Sequence, residues 1–420
     1  MLAPMPIRPL AALASLLAAC GGTAPLPDAP PGDASTDAPL DDAPTDAATA
    51  PCLERNAPDE IAARDGFVEV CASAEHPRAV CGDGSPYRFS YRPAEGSSAG
   101  LLVYFRGGGN CTDYVSCWGT DGMGGTGRRV STLENERTSP EVLPGLGRTF
   151  GFFDRVDPAA LFADFDVVYA SYCSGDAGLT STEETFVRPP EASPEAPAEI
   201  VTYFRGIDNR RAVIAEALAR FPAPARLVVA GSSAGSYAAL GAVPELSAAY
   251  PDVADVSYFG EGGIGVGRPS YSALFADTLA AHDGAEGRPL VRFLQFSFDL
   301  DATQQGYAPP PFTTDADAFR AELFRLVLDR EAAHPGHYRS FVATGTCHTV
   351  ANNPALYQAF ARTAGRWAPV MPAVRPNPEL VEGGVSLVET LRSFTRGGGP
   401  LAFDSVRPAA TGTDCALPGS

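Results

Sequence analysis

Two adjacent serines lie between glycines at residues 231–235, in the pentapeptide Gly-Ser-Ser-Ala-Gly. The residues before it, LVVA, favour a strand, and those after it, SYAAL, favour a helix. A serine at the middle of G-x-S-x-G, between strand and helix, occupies the strained turn called a nucleophile elbow. Small flanking residues suit that turn, because the two backbones approach closely there. Ser233 is therefore predicted to attack a carbonyl carbon, the alternative being an ordinary surface turn.

A second segment, Gly107–Gly109, follows the apolar run LLVYF and could complete an acyl-transfer site. Acyl transfer needs N–H donors aimed at the developing oxyanion, and losing one donor costs about 2.7–4 kcal/mol of barrier. One donor comes from the residue after the nucleophile, here Ala234, and others come from a glycine-rich loop after an upstream strand. The alternative for these glycines is a plain turn.

A base and an acid should follow the serine in the chain order Ser, Asp, His. His348 follows the apolar run SFVA and is the candidate base, whereas its competitor His337 lies at the end of a predicted helix. The stretch FSFDLDATQQ offers Asp299 and Asp301 at the end of a predicted strand. Both should project to the same side of an extended strand end, so spacing leaves the acid open. Helix capping is the alternative role for these aspartates, and Glu261 in YFGEGG is a third candidate acid.

Apolar runs and helix-period segments alternate along the chain and would position these side chains. The runs LLVYF, FDVVYASYC, ARLVVAG and LVRFLQFSF suit strands that are buried on both faces of a mostly parallel sheet. The segments DNRRAVIAEALARF and DAFRAELFRLVLDREAA, at 208–221 and 317–333, have helical periodicity. The pattern predicts one α/β three-layer domain over residues 51–420.

The first twenty residues end in Leu-Ala-Ala-Cys after an apolar run that is too short to span a bilayer. They resemble a bacterial lipoprotein signal, with Cys20 as the lipid-bearing residue; a plain signal peptide cut elsewhere is the alternative. Residues 21–50 are rich in Pro, Ala and Asp and predict a disordered tether. The protein is therefore expected to be exported, in the periplasm or on the outer surface, and to meet the membrane only through its lipid.

Charge and cysteine content exclude several classes of function. The formal net charge is −19 and all 31 basic residues are arginine, without a basic cluster that would bind nucleic acid. Besides Cys20 there are eight cysteines, and an even number in an exported chain predicts disulfides. No Cys-x-x-Cys pair occurs and the histidines are scattered, so no metal site is expected. Serine acyl transfer requires no cofactor.

Seven stretches across residues 81–349 resemble, in order, the pectin acetylesterase and Notum family of α/β hydrolases. They are CGDGSPYRFSYRP, YFRGGGNCTDYVSCW, VVYASYCSGDAG, YFRGIDNRRAVIAEAL, VVAGSSAGSYAAL, FDLDATQQ and GTCHT. The resemblance implies an α/β-hydrolase fold and a serine carboxylesterase with Ser233 as nucleophile and His348 as base. It favours Asp301 as the acid, since Asp301 begins the family's Asp-x-x-Gln. It also implies an oxyanion hole formed by Gly108, Gly109 and Ala234.

The chain departs from the family pattern at two positions. Gly109 stands where the family has an aromatic residue, and His348 directly follows Cys347 instead of lying three residues beyond it. These departures bear on the shape of the pocket and not on the chemistry. The resemblance also implies two disulfides, Cys81–Cys173 and Cys111–Cys117, which leaves Cys52–Cys71 and Cys347–Cys415 by elimination.

The resulting hypothesis is an exported serine carboxylesterase that removes short acyl groups, mainly acetyl, from a glycan through an acyl-enzyme. An esterase for longer acyl chains or polyesters is the first alternative, and an inactive surface binding protein on the same scaffold is the second. A net charge of −19 would repel polygalacturonate unless Arg106 and Arg205 create a positive cleft. Neutral acetylated glycans or small esters fit the net charge better. The sequence does not indicate an oligomeric state.

Overall fold

The computed structural model describes most of the chain from residue 66 onward. The described residues are 66–72, 76–119, 151–155, 161–190, 192, 196–284, 290–350, 360–363, 366–369, 381–382, 385–396, 401 and 403–408. All of them belong to one compact unit, Leu40–Ser420. The predicted signal peptide, the predicted lipidation site Cys20 and the predicted tether lie outside the described residues, as do Cys52 and Cys415.

The strands of the described part form one large sheet and three hairpin-like pairs. The strands are β1 Val68–Cys71, β2 Arg88–Arg92, β3 Leu101–Phe105, β4 Asp166–Ala170, β5 Thr182–Val187, β6 Glu199–Phe204, β7 Leu227–Ser232, β8 Val256–Glu261, β9 Val291–Phe298, β10 Tyr338–Ala343, β11 Phe360–Thr363, β12 Arg366–Pro369, β13 Val381–Glu382 and β14 Val385–Ser386. The large sheet has the order β1-β2-β4-β3-β7-β8-β9-β10. Pairing is antiparallel at β1–β2 and β2–β4 and parallel from β4 to β10, so the sheet is mostly parallel, as predicted.

Helices flank this sheet. The helices are α1 Gly206–Arg220, α2 Ala234–Ala249, α3 Pro269–Ala281, α4 Ala302–Tyr307, α5 Ala316–Ala333 and α6 Leu387–Arg396. The two helices expected from periodicity, α1 and α5, begin one or two residues earlier than the sequence pattern suggested. The start of α5 is fixed by Asp315, whose carboxylate accepts the Ala318 N–H at 2.9 Å.

Burial on both faces of the sheet explains the uninterrupted apolar runs. Every residue of β3, β7 and β9 is buried. Successive side chains of β3 enter different cores, because a strand alternates its faces. Val103 packs in the cluster that contains Val213 of α1 and Leu240 of α2. Its neighbour Tyr104 packs on the other face, in the cluster that contains Phe394 of α6. The predicted three-layer α/β architecture is therefore confirmed.

The parallel strands bring the candidate site residues to one edge of the sheet. Strands β3, β7, β9 and β10 all end at the same edge, where ligands bind in open α/β sheets. The segments that follow them carry Gly107–Gly109, Ser233, Asp301 and His348, respectively. The fold thus gathers residues that are far apart in the sequence.

Disulfides brace the ends of these strands. Cys81 is bonded to Cys173, directly beyond β4, with 4.9 Å between their Cα atoms. Cys111 is bonded to Cys117 just after the glycine segment, with a Cα separation of 5.0 Å. Cys71 and Cys347 are disulfide-bonded as well.

Two searches of the described residues concern membranes and metals. None of the helices in the described ranges is long and apolar enough to cross a bilayer. Within the same ranges no three His, Cys, Asp or Glu side chains form a group that could hold a metal ion.

Candidate active site

Ser233 stands in the sharp turn between β7 and α2. Its backbone has φ +55° and ψ −127°, a region that costs a residue with a side chain about 1–3 kcal/mol. Its N–H donates to the Glu261 carbonyl at the end of β8, at 2.7 Å. The turn is thus held in the conformation that a nucleophile elbow requires, with Ser233 on the wall of a cavity.

The glycines on either side of the elbow are required by space. A Cβ atom added to Gly231 would lie 2.1 Å from the Gly235 carbonyl oxygen, and one added to Gly235 would lie 2.1 Å from the Phe105 carbonyl oxygen. A Cβ on Gly107 would lie 2.2 Å from the Ser232 carbonyl oxygen. The glycine segment, the elbow and the start of α2 therefore pack backbone against backbone.

His348 and Asp301 form a close pair beside this elbow. Nδ1 of His348 lies 2.9 Å from Oδ1 and 2.8 Å from Oδ2 of Asp301, whose side chain is fully buried. Since a carboxylate can only accept, Nδ1 carries the proton and Nε2 keeps a lone pair. Nε2 is buried and has no hydrogen-bond partner among the residues described. A ring nitrogen in this state is ready to accept a proton at the cavity that His348 shares with Ser233.

Gln304 explains why glutamine follows Asp301 at this spacing. Its N–H donates to Oδ1 of Asp301 and its side-chain amide donates to Oδ2, both at 2.8 Å. Its amide oxygen accepts the Ile264 N–H at 2.8 Å, which ties the group to the segment after β8. Asp301 is also the N-cap of α4. The capping role and the contact with His348 are thus two functions of one side chain.

Asp299 has a different set of partners. It is also fully buried, but Oδ2 accepts Nε of Arg320 at 2.9 Å and Oδ1 accepts the Gly345 N–H at 2.8 Å. The two aspartates do not share the extended strand end on which the expected common orientation depends, because β9 ends at Phe298 and the chain turns before Asp301. Asp299 steadies the loop that leads to His348, and Asp301 contacts the imidazole.

Glu261 and His337, the remaining candidates, contact other groups. The fully buried Glu261 carboxylate accepts the Val350 N–H at 2.6 Å and the Tyr104 hydroxyl at 3.3 Å. It therefore anchors the loop just after His348. His337 packs under α3, where its Nε2 lies 3.3 Å from the Leu279 carbonyl oxygen, and burial lowers the pKa of its ring.

The predicted oxyanion donors lie beside Ser233. Gly109 and Ala234 line the cavity, and Gly108 lies against the ring of Tyr172. Ala234 is the first residue of α2, so its N–H has no partner within the helix. Among the described residues no hydrogen bond from the N–H of Gly108 or Gly109 is formed. Their role as donors to an oxyanion stays a prediction.

The cavity is partly open to solvent, and its empty space of about 520 Å³ includes the solvent at its mouth. One wall is apolar: the rings of Tyr237 and Tyr271 stack with centroids 4.1 Å apart, and Val266 and Ala308 extend the surface. Among the described residues of its lining, Arg268 is the cationic side chain and His348 the imidazole, and none is a carboxylate.

Sequence analysis did not identify Arg268, because it comes from the loop after β8 and belongs to no recognisable motif. It forms no ion pair within the described ranges. The two arginines that the sequence suggested for a positive cleft do not line the cavity. Arg205 is paired with Glu183 at 3.0 Å, and Arg106 lines a smaller space between the sheet and α1.

Comparisons with known proteins agree with this architecture. A family model described as pectinacetylesterase matches residues 63–277. Two solved structures of the Wnt deacylase Notum from Drosophila are similar to this chain, and the first of them shares its fold. One is 14% identical, covers 83% of this chain and 97% of its own, with a TM-score of 0.51. The other is 15% identical, covers 80% and 95%, with a TM-score of 0.48. No curated protein matches the chain.

The family model spans more than half of the 420 residues, over the glycine segment, the elbow and the strands that position them. This chain therefore belongs to the pectinacetylesterase family and is a carboxylic ester hydrolase of the α/β-hydrolase fold.

Proposed function

We propose that this protein is an exported serine esterase that cleaves acetyl esters of a glycan, with Ser233, His348 and Asp301 as its triad. The observation that carries the proposal is the state of His348. Its Nδ1 is bonded to the buried Asp301, while Nε2 is buried and unpaired in the described part of the chain. Ser233 stands on the same cavity in a strained elbow.

The reaction follows from these positions. Nε2 of His348 takes the proton of the Ser233 hydroxyl while the hydroxyl oxygen attacks the ester carbon. The N–H groups of Gly108, Gly109 and Ala234 donate to the carbonyl oxygen as it becomes negative. His348 then gives its proton to the leaving sugar oxygen, and the acyl group stays on Ser233. Water next attacks the acyl group, losing its proton to His348, which returns it to Ser233 as the carboxylic acid leaves.

The cavity supports a glycan ester as substrate. Gly109 lines the cavity with Ser233 and stands where the family pattern has an aromatic residue, so no side chain at this position would obstruct a sugar. Arg268 offers a guanidinium to sugar hydroxyls or to the carboxylate of a uronic acid. The local charge of the site is therefore more favourable to an acidic glycan than the net charge of −19 suggests.

A longer acyl chain is the second candidate substrate, and one observation favours it. The stacked pair Tyr237 and Tyr271 continues into Val266 and Ala308, which gives an apolar wall beside Ser233. Burial against such a wall would stabilise the bound acyl chain by about 0.8 kcal/mol for each methylene group.

Two observations together support the proposed export of the protein, its disulfides and its N-terminal sequence. Disulfides persist in oxidising compartments and are rare in the cytosol. The described part holds the pairs Cys81–Cys173 and Cys111–Cys117. Lipidation of Cys20 would then hold the domain at the cell envelope through the tether of residues 21–50.

The decisive experiment combines labelling with a substrate series. A fluorophosphonate probe should label the parent protein at Ser233, and Ser233→Ala should abolish both labelling and turnover. Ser232→Ala is the matched control, because Ser232 is the adjacent buried hydroxyl and does not line the cavity; it should retain both. An unlabelled parent would favour the inactive binding protein, and labelling that depends on Ser232 would refute the assigned nucleophile.

Substrate class is read from p-nitrophenyl esters of increasing chain length, beside acetylated pectin and acetylated xylan. The proposal expects the highest kcat/KM on acetyl esters and release of acetate from at least one glycan. A maximum at octanoyl or longer, with no acetate from either glycan, would replace it with the long-chain candidate.

A further inference from the structure

Tyr172 lies directly after β4, behind the predicted oxyanion hole, and no step of the proposed reaction uses it. Its hydroxyl donates to the Gly109 carbonyl at 2.6 Å and accepts the Ala177 N–H at 2.8 Å. The side chain is 6% exposed and does not line the cavity. Burial, followed by the charge of Asp176, raises the pKa of this phenol well above its usual range. The hydroxyl therefore stays protonated, and so remains a donor, at neutral pH.

The ring of Tyr172 contacts the glycine segment and belongs to the same packed cluster as the start of α2. A Cβ on Gly108 would lie 2.4 Å from Cδ1 of Tyr172, so the ring is in close contact with that backbone. On another side the ring packs in one cluster with Ala177 and with Ala234, the first residue of α2. One buried side chain thus spans the distance between the glycine segment and the nucleophile elbow.

The glycine segment needs such a support because glycine has the greatest backbone freedom. Backbone bonds hold its two ends: the Arg106 N–H donates to Ala170 at 3.0 Å, and the Cys111 N–H donates to Gly175 at 2.9 Å. Between them Gly109 adopts φ +81°. Because a peptide unit is planar, the bond from the Tyr172 hydroxyl to the Gly109 carbonyl fixes the peptide that carries the Asn110 N–H. The Tyr172 ring limits the position of Gly108 on the other side. The peptide that carries the Gly109 N–H lies between these two contacts.

We propose that Tyr172 is a positioning residue for the oxyanion hole: it holds the N–H groups of Gly108 and Gly109 in register with that of Ala234. This inference rests on the proposed function. Tyr172 touches neither the substrate nor Ser233 in the reaction; it acts through the glycine segment. Its effect should therefore appear when the carbonyl oxygen becomes negative and not when the planar ester binds.

The test is Tyr172→Phe, which removes the hydroxyl and keeps the ring against Gly108. Deleting an oxyanion donor lowers kcat by about 10²–10³-fold, and a loosened donor should cost less, about 10–100-fold. KM for p-nitrophenyl acetate should change less than about twofold, because the ground state makes no use of the donors. Affinity for phenylboronic acid, which forms a tetrahedral adduct on the serine, should fall in proportion to kcat.

Tyr87→Phe is the matched control, since its buried hydroxyl also donates to a backbone carbonyl, that of Ser171, at 2.8 Å. It should keep kcat within about twofold of the parent, because Ser171 carries no oxyanion donor. Equal kcat losses in the two variants, or a parent-like kcat in a folded Tyr172→Phe protein, would overturn the inference.

Amide hydrogen exchange in the parent protein tests the hydrogen bonds of Tyr172 even if Tyr172→Phe fails to fold. In the parent, the Ala177 amide should exchange slowly, since it is bonded to a buried hydroxyl. Exchange of that amide within seconds would overturn the inference. Failure of the proposed function is distinguishable, because it would appear first as turnover that survives Ser233→Ala.

Discussion

Replacing Asp301 with asparagine is expected to leave the protein folded and nearly inactive, and the hydrogen bonds around this carboxylate show why. Oδ1 accepts the Gln304 N–H, so the amide oxygen of the new asparagine must take that position. The NH2 group then replaces Oδ2, where it faces two donors at 2.8 Å, Nδ1 of His348 and the side-chain amide of Gln304. Nδ1 can no longer be the protonated nitrogen, so the proton moves to Nε2.

The cost follows from the changed tautomer. A protonated Nε2 cannot accept the Ser233 proton, and the same substitution in a Ser-His-Asp triad lowers kcat by about 10⁴-fold. This corresponds to about 5.5 kcal/mol of barrier. KM should be little changed, since Asp301 is fully buried and does not line the cavity.

The assay compares kcat on p-nitrophenyl acetate at equal folded fraction, with Ser233→Ala as the floor. Asp299→Asn is the control: it weakens the pair with Arg320 and should lower stability by about 1–3 kcal/mol while kcat falls less than about tenfold. The reasoning is refuted if Asp301→Asn keeps kcat within tenfold of the parent, or if Asp299→Asn is the less active of the two.

Three further outcomes are expected. Cys20→Ala should abolish lipid labelling and release the protein from the membrane fraction; unchanged partition would contradict lipid anchoring. Intact-mass measurement after alkylation should find no free thiol in the exported protein, and peptide mapping should join Cys111 to Cys117; two or more alkylated thiols would contradict four disulfides. Arg268→Gln should lower kcat/KM on acetylated pectin by about tenfold, the equivalent of one hydrogen bond to a charged group, and spare acetylated xylan. Arg205→Gln is its control, and an equal loss on both glycans would exclude recognition of a uronic acid.

Much of the fold could be predicted because the central strands are buried on both faces. Continuous apolar runs such as LLVYF at β3 have no other place in a soluble domain, and the glycines of the elbow follow from backbone contact. The β5–β6 hairpin was not predicted: β5 is mostly exposed, so its residues carry no apolar signal. Its strand character comes from pairing with β6 alone.

Candidate site residues could be predicted where the proposed chemistry requires a particular residue type. They could not be predicted where the path of the backbone determines which side chain contacts which. Ser233 and His348 follow from type and order. The partners of Asp299 and Asp301 depend on a turn after Phe298 that spacing does not reveal. Arg268 and Tyr172 lie in loops whose conformation depends on contacts with distant segments. The sequence around them therefore does not indicate their proposed roles.

The backbone contacts at Gly107, Gly231 and Gly235 have a consequence for how this enzyme can diversify. There is no space for a side chain where these three segments meet, so a substitution there would disturb the backbone packing whatever its effect on the reaction. Other parts of the cavity lining are side chains from the segments after β8 and β9, those of Arg268 and Tyr307 among them. Substrate range can thus change through substitutions in the segments after β8 and β9, while the three glycine positions stay fixed. Directed evolution of new ester specificities should therefore concentrate its libraries on those segments.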